Sequence, residues 1–166
     1  AVTALVPGFG EYRPGEERPI LHVAGIDAAI VICWEAIFPS YVARSSAHAS
    51  LILDLTNDAW LGAAAPAEQH LAMAAMRAVE TRRPLVRAAN SGISAFIGPD
   101  GAIHRRTPFG ARLAIVGEVH PRTEMTAYAR YGDVFAIAAT LAALALLVYA
   151  GLSGPRGAEP GVLTIQ

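Results

Sequence analysis

The sequence predicts an α/β domain followed by one transmembrane helix, and three observations carry that prediction. Short apolar runs of strand character alternate with segments of helical periodicity, which is the mark of an α/β layer arrangement. Polar and reactive residues fall where the apolar runs stop, as they do at the carboxyl ends of strands in such sheets. Residues 134–152 then run V-F-A-I-A-A-T-L-A-A-L-A-L-L-V-Y-A-G-L without a single charge.

Taken in order, residues 5–19 are rich in Gly, Pro and charge and read as a loop. Residues 21–24 are expected to form a short strand and Gly25-Ile26-Asp27 a turn. Residues 28–33 are continuously apolar, as in a strand buried on both faces. Residues 34–44 read as a helix, with Pro39 either in its first turn or kinking it. Another apolar strand, 51–55, ends in the polar tip Thr56-Asn57-Asp58. The clearest helix is 66–83: Pro66 suits a first turn, Leu71, Ala75 and Val79 recur every four residues beside Ala72 and Met76, and Pro84 closes it. Strands are expected at 85–88 and 93–97, flanking Asn90-Ser91-Gly92. Gly98-Pro99-Asp100-Gly101 is a turn, because Pro presets φ and Gly accepts positive φ. A last strand is expected at 113–119, and the Gly- and Pro-rich tail after Ser153 is expected to be loose. The domain boundaries implied are 1–130, 131–153 for the membrane helix, and 154–166 for the tail.

With 166 residues the chain is long enough for one domain with a real core. Its net charge of -1 leaves no basic stripe for phosphates, so no nucleic-acid partner is expected. The nineteen uncharged residues would span about 28 Å as a helix, close to the hydrocarbon thickness of a bilayer. Nine of them are Leu, Ile, Val or Phe, which favours insertion by roughly 3 to 5 kcal/mol. Tyr128, Tyr131 and Tyr149 lie near the ends, where aromatic rings suit the interface. Arg122, Arg130 and Arg156 are too few to fix an orientation by charge. A chain that opens at Ala1, without a methionine or a signal segment, is expected to be a piece of a longer membrane protein.

Cys33 is the single cysteine, placed in Val31-Ile32-Cys33-Trp34-Glu35 where a strand-like run meets a helix-like one. A helix amino end there would favour the thiolate. On residue type alone it is either a nucleophile or an inert core thiol. If the strands ending at Cys33 and Asn57 are neighbours, their tips face one crevice. Glu35 either favours the first turn of the helix or positions a base or an incoming amine. The five histidines (His22, His48, His70, His104 and His120) lack the spacing of zinc ligands, so no metal is expected, and no cofactor either. His70, near Glu68, is expected on a polar helix face. Arg82, Arg83 and Arg87 are expected to be a solvated basic group. Gly8-Phe9-Gly10 lacks the Lys and helix of a phosphate loop.

Several motifs in order resemble one family. They are Leu5-Val6-Pro7-Gly8-Phe9-Gly10-Glu11-Tyr12, Ile32-Cys33-Trp34-Glu35 with Phe38-Pro39, and Thr56-Asn57-Asp58-Ala59-Trp60-Leu61-Gly62. Gln69-His70-Leu71, Met76-Arg77-Ala78-Val79-Glu80, Arg87-Ala88-Ala89-Asn90-Ser91-Gly92-Ile93-Ser94 and Thr126-Ala127-Tyr128-Ala129-Arg130-Tyr131-Gly132-Asp133 continue the pattern. Together they resemble the nitrilase-type carbon–nitrogen hydrolase domain and, more narrowly, the apolipoprotein N-acyltransferases, across residues 5–152.

The resemblance implies the C-terminal part of a nitrilase-type αββα sandwich followed by one transmembrane helix, on the outer side of a bacterial inner membrane. It implies a Glu-Lys-Cys triad in which Cys33 takes an acyl chain from a phospholipid donor as a thioester. The chain then passes to the α-amine of a diacylglyceryl-modified lipoprotein cysteine. Glu11 and Glu35 match further acidic positions of the site, and Trp34 an aromatic beside the nucleophile; Asn57 and Trp60, in the third motif, are the other candidate substrate contacts.

The sequence also departs from the family pattern. The triad glutamate belongs to the earlier half of the domain. The triad lysine would fall near Val2, there is no lysine in the 166 residues, and Gly8 interrupts the usual Pro-Phe-Gly-Glu run. The 166 residues alone are therefore expected to be inactive. Two other functions remain compatible with the residues: a soluble-type amidase or nitrilase, and a non-catalytic membrane-anchored module.

Overall fold

Three parallel strands set the frame of the fold in the computed structural model, which describes residues 20–153. Glu11, the loop at 5–19 and the tail at 154–166 lie outside the described residues. The strands are β1 (Ile20–Val23), β2 (Ile26–Ile32), β3 (Leu51–Asn57), β4 (Leu85–Asn90), β5 (Ala95–Ile97) and β6 (Ile103–Arg106). They form one sheet in the order β1-β2-β3-β4-β5-β6. β2, β3 and β4 pair in parallel, while β1, β5 and β6 join antiparallel. α1 (Pro39–Ser45) connects β2 to β3, and α2 (Ala64–Thr81) connects β3 to β4. Parallel pairing puts the carboxyl ends of β2, β3 and β4 at one edge, with Ile32 opposite Leu55 and Asn57 opposite Asn90.

α1 and α2 cover one face of the sheet. Val31, Ile52 and Leu85 meet Ala36, Val42, Ala67, Leu71, Ala74 and Ala78 in the core. The alanines on α2 let its backbone approach the strands closely. Its buried residues are Ala67, His70, Leu71, Ala74, Arg77, Ala78 and Thr81. This corrects the expected stripe, since Ala72, Met76 and Val79 face outward. The inward face must meet a sheet that carries buried Asp54 and Arg87, so a polar His70 turns in where a count of apolar residues turns it out.

Four further expectations change. The hairpin turn falls on Ala24 and Gly25, both at positive φ (49° and 77°), the geometry that matches strand twist, so Ile26 and Asp27 belong to β2. The expected helix at 34–44 is two elements: a 3-10 turn at Cys33–Ile37, and α1 with Pro39 in its first turn. β6, Ile-His-Arg-Arg and exposed at every residue, has a single apolar residue and so no strand signal in the sequence. Residues 113–119 form no strand, because β6 already holds the place beside β5. There Val116 is 82% exposed, its carbonyl takes a hydrogen bond from Arg105 (2.8 Å), and Gly117 lies against the Phe96 ring.

Arg83 is buried and donates to the carbonyls of Ala49 (2.6 Å), Thr81 (3.3 Å), Thr123 (3.1 Å) and Glu124. With Arg87 also buried, only Arg82 of the expected solvated group faces solvent.

The chain divides into two compact units, Ala1–Arg130 and Tyr131–Gln166. α3 (Ala127–Tyr131) lies at the division, and α4 (Val134–Ser153) makes up the described part of the second unit. At 20 residues α4 is long and apolar enough to cross a membrane.

Candidate active site

Cys33 stands where β2 ends and the 3-10 turn begins, with φ at +49°. That left-handed conformation costs a residue with a Cβ about 1–2 kcal/mol, so the surroundings must hold it. The Glu35 carboxylate accepts the Ile32 backbone N–H at 2.8 Å and closes the turn behind the cysteine. His70 Nε2 lies 3.2 Å from the Cys33 carbonyl oxygen. The Cys33 Sγ faces the Asn57 carbonyl oxygen at 3.9 Å. A turn of five residues is too short to supply the macrodipole of a full helix, so the expected helix amino end at Cys33 is not what the fold provides.

The half-buried thiol opens on a shallow crevice along the carboxyl ends of β2, β3 and β4. Its walls include Ile32, Leu55 and Ala88, with Asn57, Asn90 and Ser94 as polar points. The strands ending at Cys33 and Asn57 are neighbours and their tips share this crevice. Asn57 brings its backbone carbonyl towards the thiol, whereas its side-chain oxygen accepts the Ala59 N–H at 3.1 Å and shapes the next turn. Trp34 and Trp60 meet edge to face with ring centroids 5.6 Å apart, and both rings are exposed (45% and 63%). Two exposed indoles in contact, one of them on the residue after the cysteine, offer a surface suited to hydrocarbon. Glu11 lies outside the described residues, so no position for it enters this geometry.

Behind the thiol lies a buried polar network that sequence reasoning missed. Arg87 donates to Asp54 through Nη1 and to Asp58 Oδ2 through Nη2 (2.9 Å). Asp58 Oδ1 takes the Thr56 hydroxyl at 3.0 Å and lies 3.0 Å from His70 Nδ1, which is also 3.0 Å from Arg87 Nη2. Asp54, Asp58, His70 and Arg87 are all buried, which corrects the expectation that His70 sits on a polar helix face. Trp34 covers the imidazole, with ring centroids 5.6 Å apart and planes tilted by 52°. Burial pushes the Asp54 carboxyl above its ordinary value, against the pull of Arg87, and its Oδ1 has no partner among the described side chains. Removing one member of such a network costs roughly 3–5 kcal/mol, because the charge left behind stays buried. The signal for it was present: Asp54 and Arg87 each interrupt an apolar strand run, and the two pair across β3 and β4.

Among the described residues no group of three or more His, Cys, Asp or Glu side chains is placed to hold a metal ion. The site offers a positioned thiol, backbone carbonyls and an apolar wall, which suits acyl transfer through sulfur.

Residues 5–130 match the carbon-nitrogen hydrolase family. The chain is 41% identical over 150 residues to an apolipoprotein N-acyltransferase of Geobacter metallireducens, covering 87% of this chain and 29% of that protein. It is likewise 41% identical over 140 residues to the protein of that name from Bradyrhizobium diazoefficiens, covering 84% of this chain and 26% of the relative. The chain thus spans less than a third of these relatives' length. Among solved structures, a mutant amidase of the nitrilase superfamily from Nesterenkonia AN1 superposes with a TM-score of 0.50 at 24% identity, over 59% of this chain and 40% of that one. That likeness is one of fold.

Proposed function

The chain belongs to the carbon–nitrogen hydrolase family, and from that premise we propose that Cys33 is the nucleophile of a membrane N-acyltransferase. The observation that carries the reading is the left-handed elbow at Cys33, which sets a thiol on an apolar crevice, with the exposed indole of Trp34 on the next residue. The similarity to proteins named apolipoprotein N-acyltransferase supports the choice of substrates.

In the proposed cycle the Cys33 thiolate attacks the ester carbonyl of a phospholipid. The S–C bond forms, the C–O bond breaks, and the lysophospholipid leaves with a proton. The α-amine of a diacylglyceryl-modified lipoprotein cysteine then attacks the thioester. The amide forms, a proton is lost from nitrogen, and the thiolate returns. Glu35 serves this cycle by closing the turn that presents the thiol, and Glu11 is carried as a second acidic position of the site. Trp34 and Trp60 flank the acyl chain, and Asn57 lends its backbone to the crevice wall. α4 spans a bacterial inner membrane, with residues 1–130 on the extracytoplasmic side and 154–166 as a tail. A thiol nucleophile also needs a base and an oxyanion donor. The family pattern assigns those tasks to a glutamate and a lysine, and the 166 residues contain no lysine.

The test is mass spectrometry of the product of the whole gene, in detergent with phospholipid, quenched during turnover. A hydroxylamine-labile acyl adduct is expected on the peptide carrying Cys33. Cys33→Ser is expected to lose at least about 1,000-fold in transfer to the amine, and the 166 residues alone are expected to be inactive. Full activity of Cys33→Ser would overturn the assignment. If water rather than the amine resolves the adduct, the protein is an amidase-like hydrolase.

A further inference from the structure

The buried network behind Cys33 ends on the nucleophile's own backbone. We infer that His70 is a positioning residue, whose Nε2–H holds the Cys33 carbonyl and so keeps the thiol aimed into the crevice. The inference rests on the proposal that Cys33 is the nucleophile.

The proton on Nε2 is dictated by its partner. Nε2 faces a carbonyl oxygen, which only accepts, so this nitrogen must donate. Nδ1 lies 3.0 Å from both Asp58 Oδ1 and Arg87 Nη2. In the neutral ring Nδ1 accepts from Arg87, and in the imidazolium it donates to Asp58. Either state leaves Nε2–H in place, so the hold on Cys33 does not depend on which one prevails. The remaining tautomer would set the Nε2 lone pair against the carbonyl oxygen.

The anchor is rigid. Asp58 is fixed by Thr56 and Arg87, and Arg87 by Asp54 on the neighbouring strand. Gly92 packs against the Asp58 side chain from the other side, and Trp34 covers the imidazole. His70 therefore ties α2 to the elbow, while the Glu35 carboxylate secures the residue before the cysteine. The imidazole is not aimed as a base, because both ring nitrogens are occupied and the one nearest the elbow faces oxygen rather than sulfur. It acts through Cys33.

Two variants of equal length separate positioning from packing. Glutamine and methionine both lose the contacts at Nδ1, but glutamine carries an N–H to the place of Nε2 and methionine does not. The whole-gene product in detergent is treated with p-nitrophenyl butyrate, which acylates the thiol and releases p-nitrophenolate. The first-turnover burst is read beside the butyryl mass on the Cys33 peptide and the melting temperature. His70→Gln is expected to keep the burst rate within about fivefold of wild type, and His70→Met to fall about tenfold below His70→Gln at a similar melting temperature. Equal burst rates in the two variants would overturn the inference. If His70→Met fails to fold, a His70→Gln rate more than about fivefold below wild type does so instead. An undiminished burst in Cys33→Ser would instead defeat the nucleophile assignment, a separate result.

Discussion

Gly92 is set by space rather than by torsion. A Cβ there would lie 2.3 Å from Asp58 Oδ2 and 2.8 Å from Asp58 Cβ and Cγ. The aspartate cannot retreat, because Thr56, His70 and Arg87 all bind its carboxylate. Gly92→Ala should therefore cost roughly 2 to 3 kcal/mol, read as a lower urea midpoint at unchanged slope. It should also slow Cys33 acylation, because displacing Asp58 loosens His70. An alanine variant as stable as wild type would show that the network yields easily. The same residues explain what was legible at this scale. Cys33 stood out because it is a lone thiol at a strand end, and its partner strand ends at Asn57. The imidazole that holds its carbonyl was not legible. His70 is 37 positions away, and among the polar residues of α2, Glu68, Gln69, Arg77 and Glu80 with it, residue type alone does not say which face inward.

At the scale of elements, β2, β3 and β4 could be read from the sequence because central parallel strands need apolar residues along much of their length. β6 could not, since an edge strand open to water tolerates Ile-His-Arg-Arg. The opposite error arose at 113–119, where an apolar run lies outside the sheet and the place beside β5 is held by β6. The backbone just beyond that run is fastened by Arg83, whose guanidinium takes the carbonyls of Thr123 and Glu124 together with those of Ala49 and Thr81. Burial pulls its pKa down from the ordinary arginine value, and an arginine keeps its charge in proteins. The fork serves four carbonyls from three nitrogens, whereas a lysine has one nitrogen with three donors and cannot reach all four. Arg83→Lys should accordingly destabilise residues 1–130 by roughly 2 kcal/mol. Amide exchange at residues 123–126 should accelerate more than exchange in β3. Unchanged exchange there would mean that the segment is held by other contacts, such as the Thr126 hydroxyl on the Glu80 carbonyl.

At the scale of the whole molecule, the two units follow different rules of burial. Residues 20–130 build a buried apolar core against a sheet, whereas α4 leaves Phe135, Ile137, Leu141, Leu144, Leu147 and Leu152 exposed around its circumference. A helix apolar on every side needs either protein or hydrocarbon around it, and an amphipathic surface helix would show a polar face. The Thr140 hydroxyl, in the interior of the helix, is already satisfied, since it donates to the Ala136 carbonyl at 2.8 Å. Twenty residues rise about 30 Å, enough to cross the hydrocarbon of a bilayer without a strong tilt. Spanning therefore makes a directional claim. A reporter fused after Ser153 in the whole-gene product should lie on the opposite side of the membrane from residues 1–130. Leu144 is near the middle of α4, where an arginine opposes insertion by roughly 2.5 to 3.5 kcal/mol. That is comparable to what the apolar residues of the segment contribute, so Leu144→Arg should return much of the reporter to the side of residues 1–130, by protease protection. A wild-type reporter already on that side would mean that α4 lies along an interface or packs on protein, and the membrane-spanning assignment would fail.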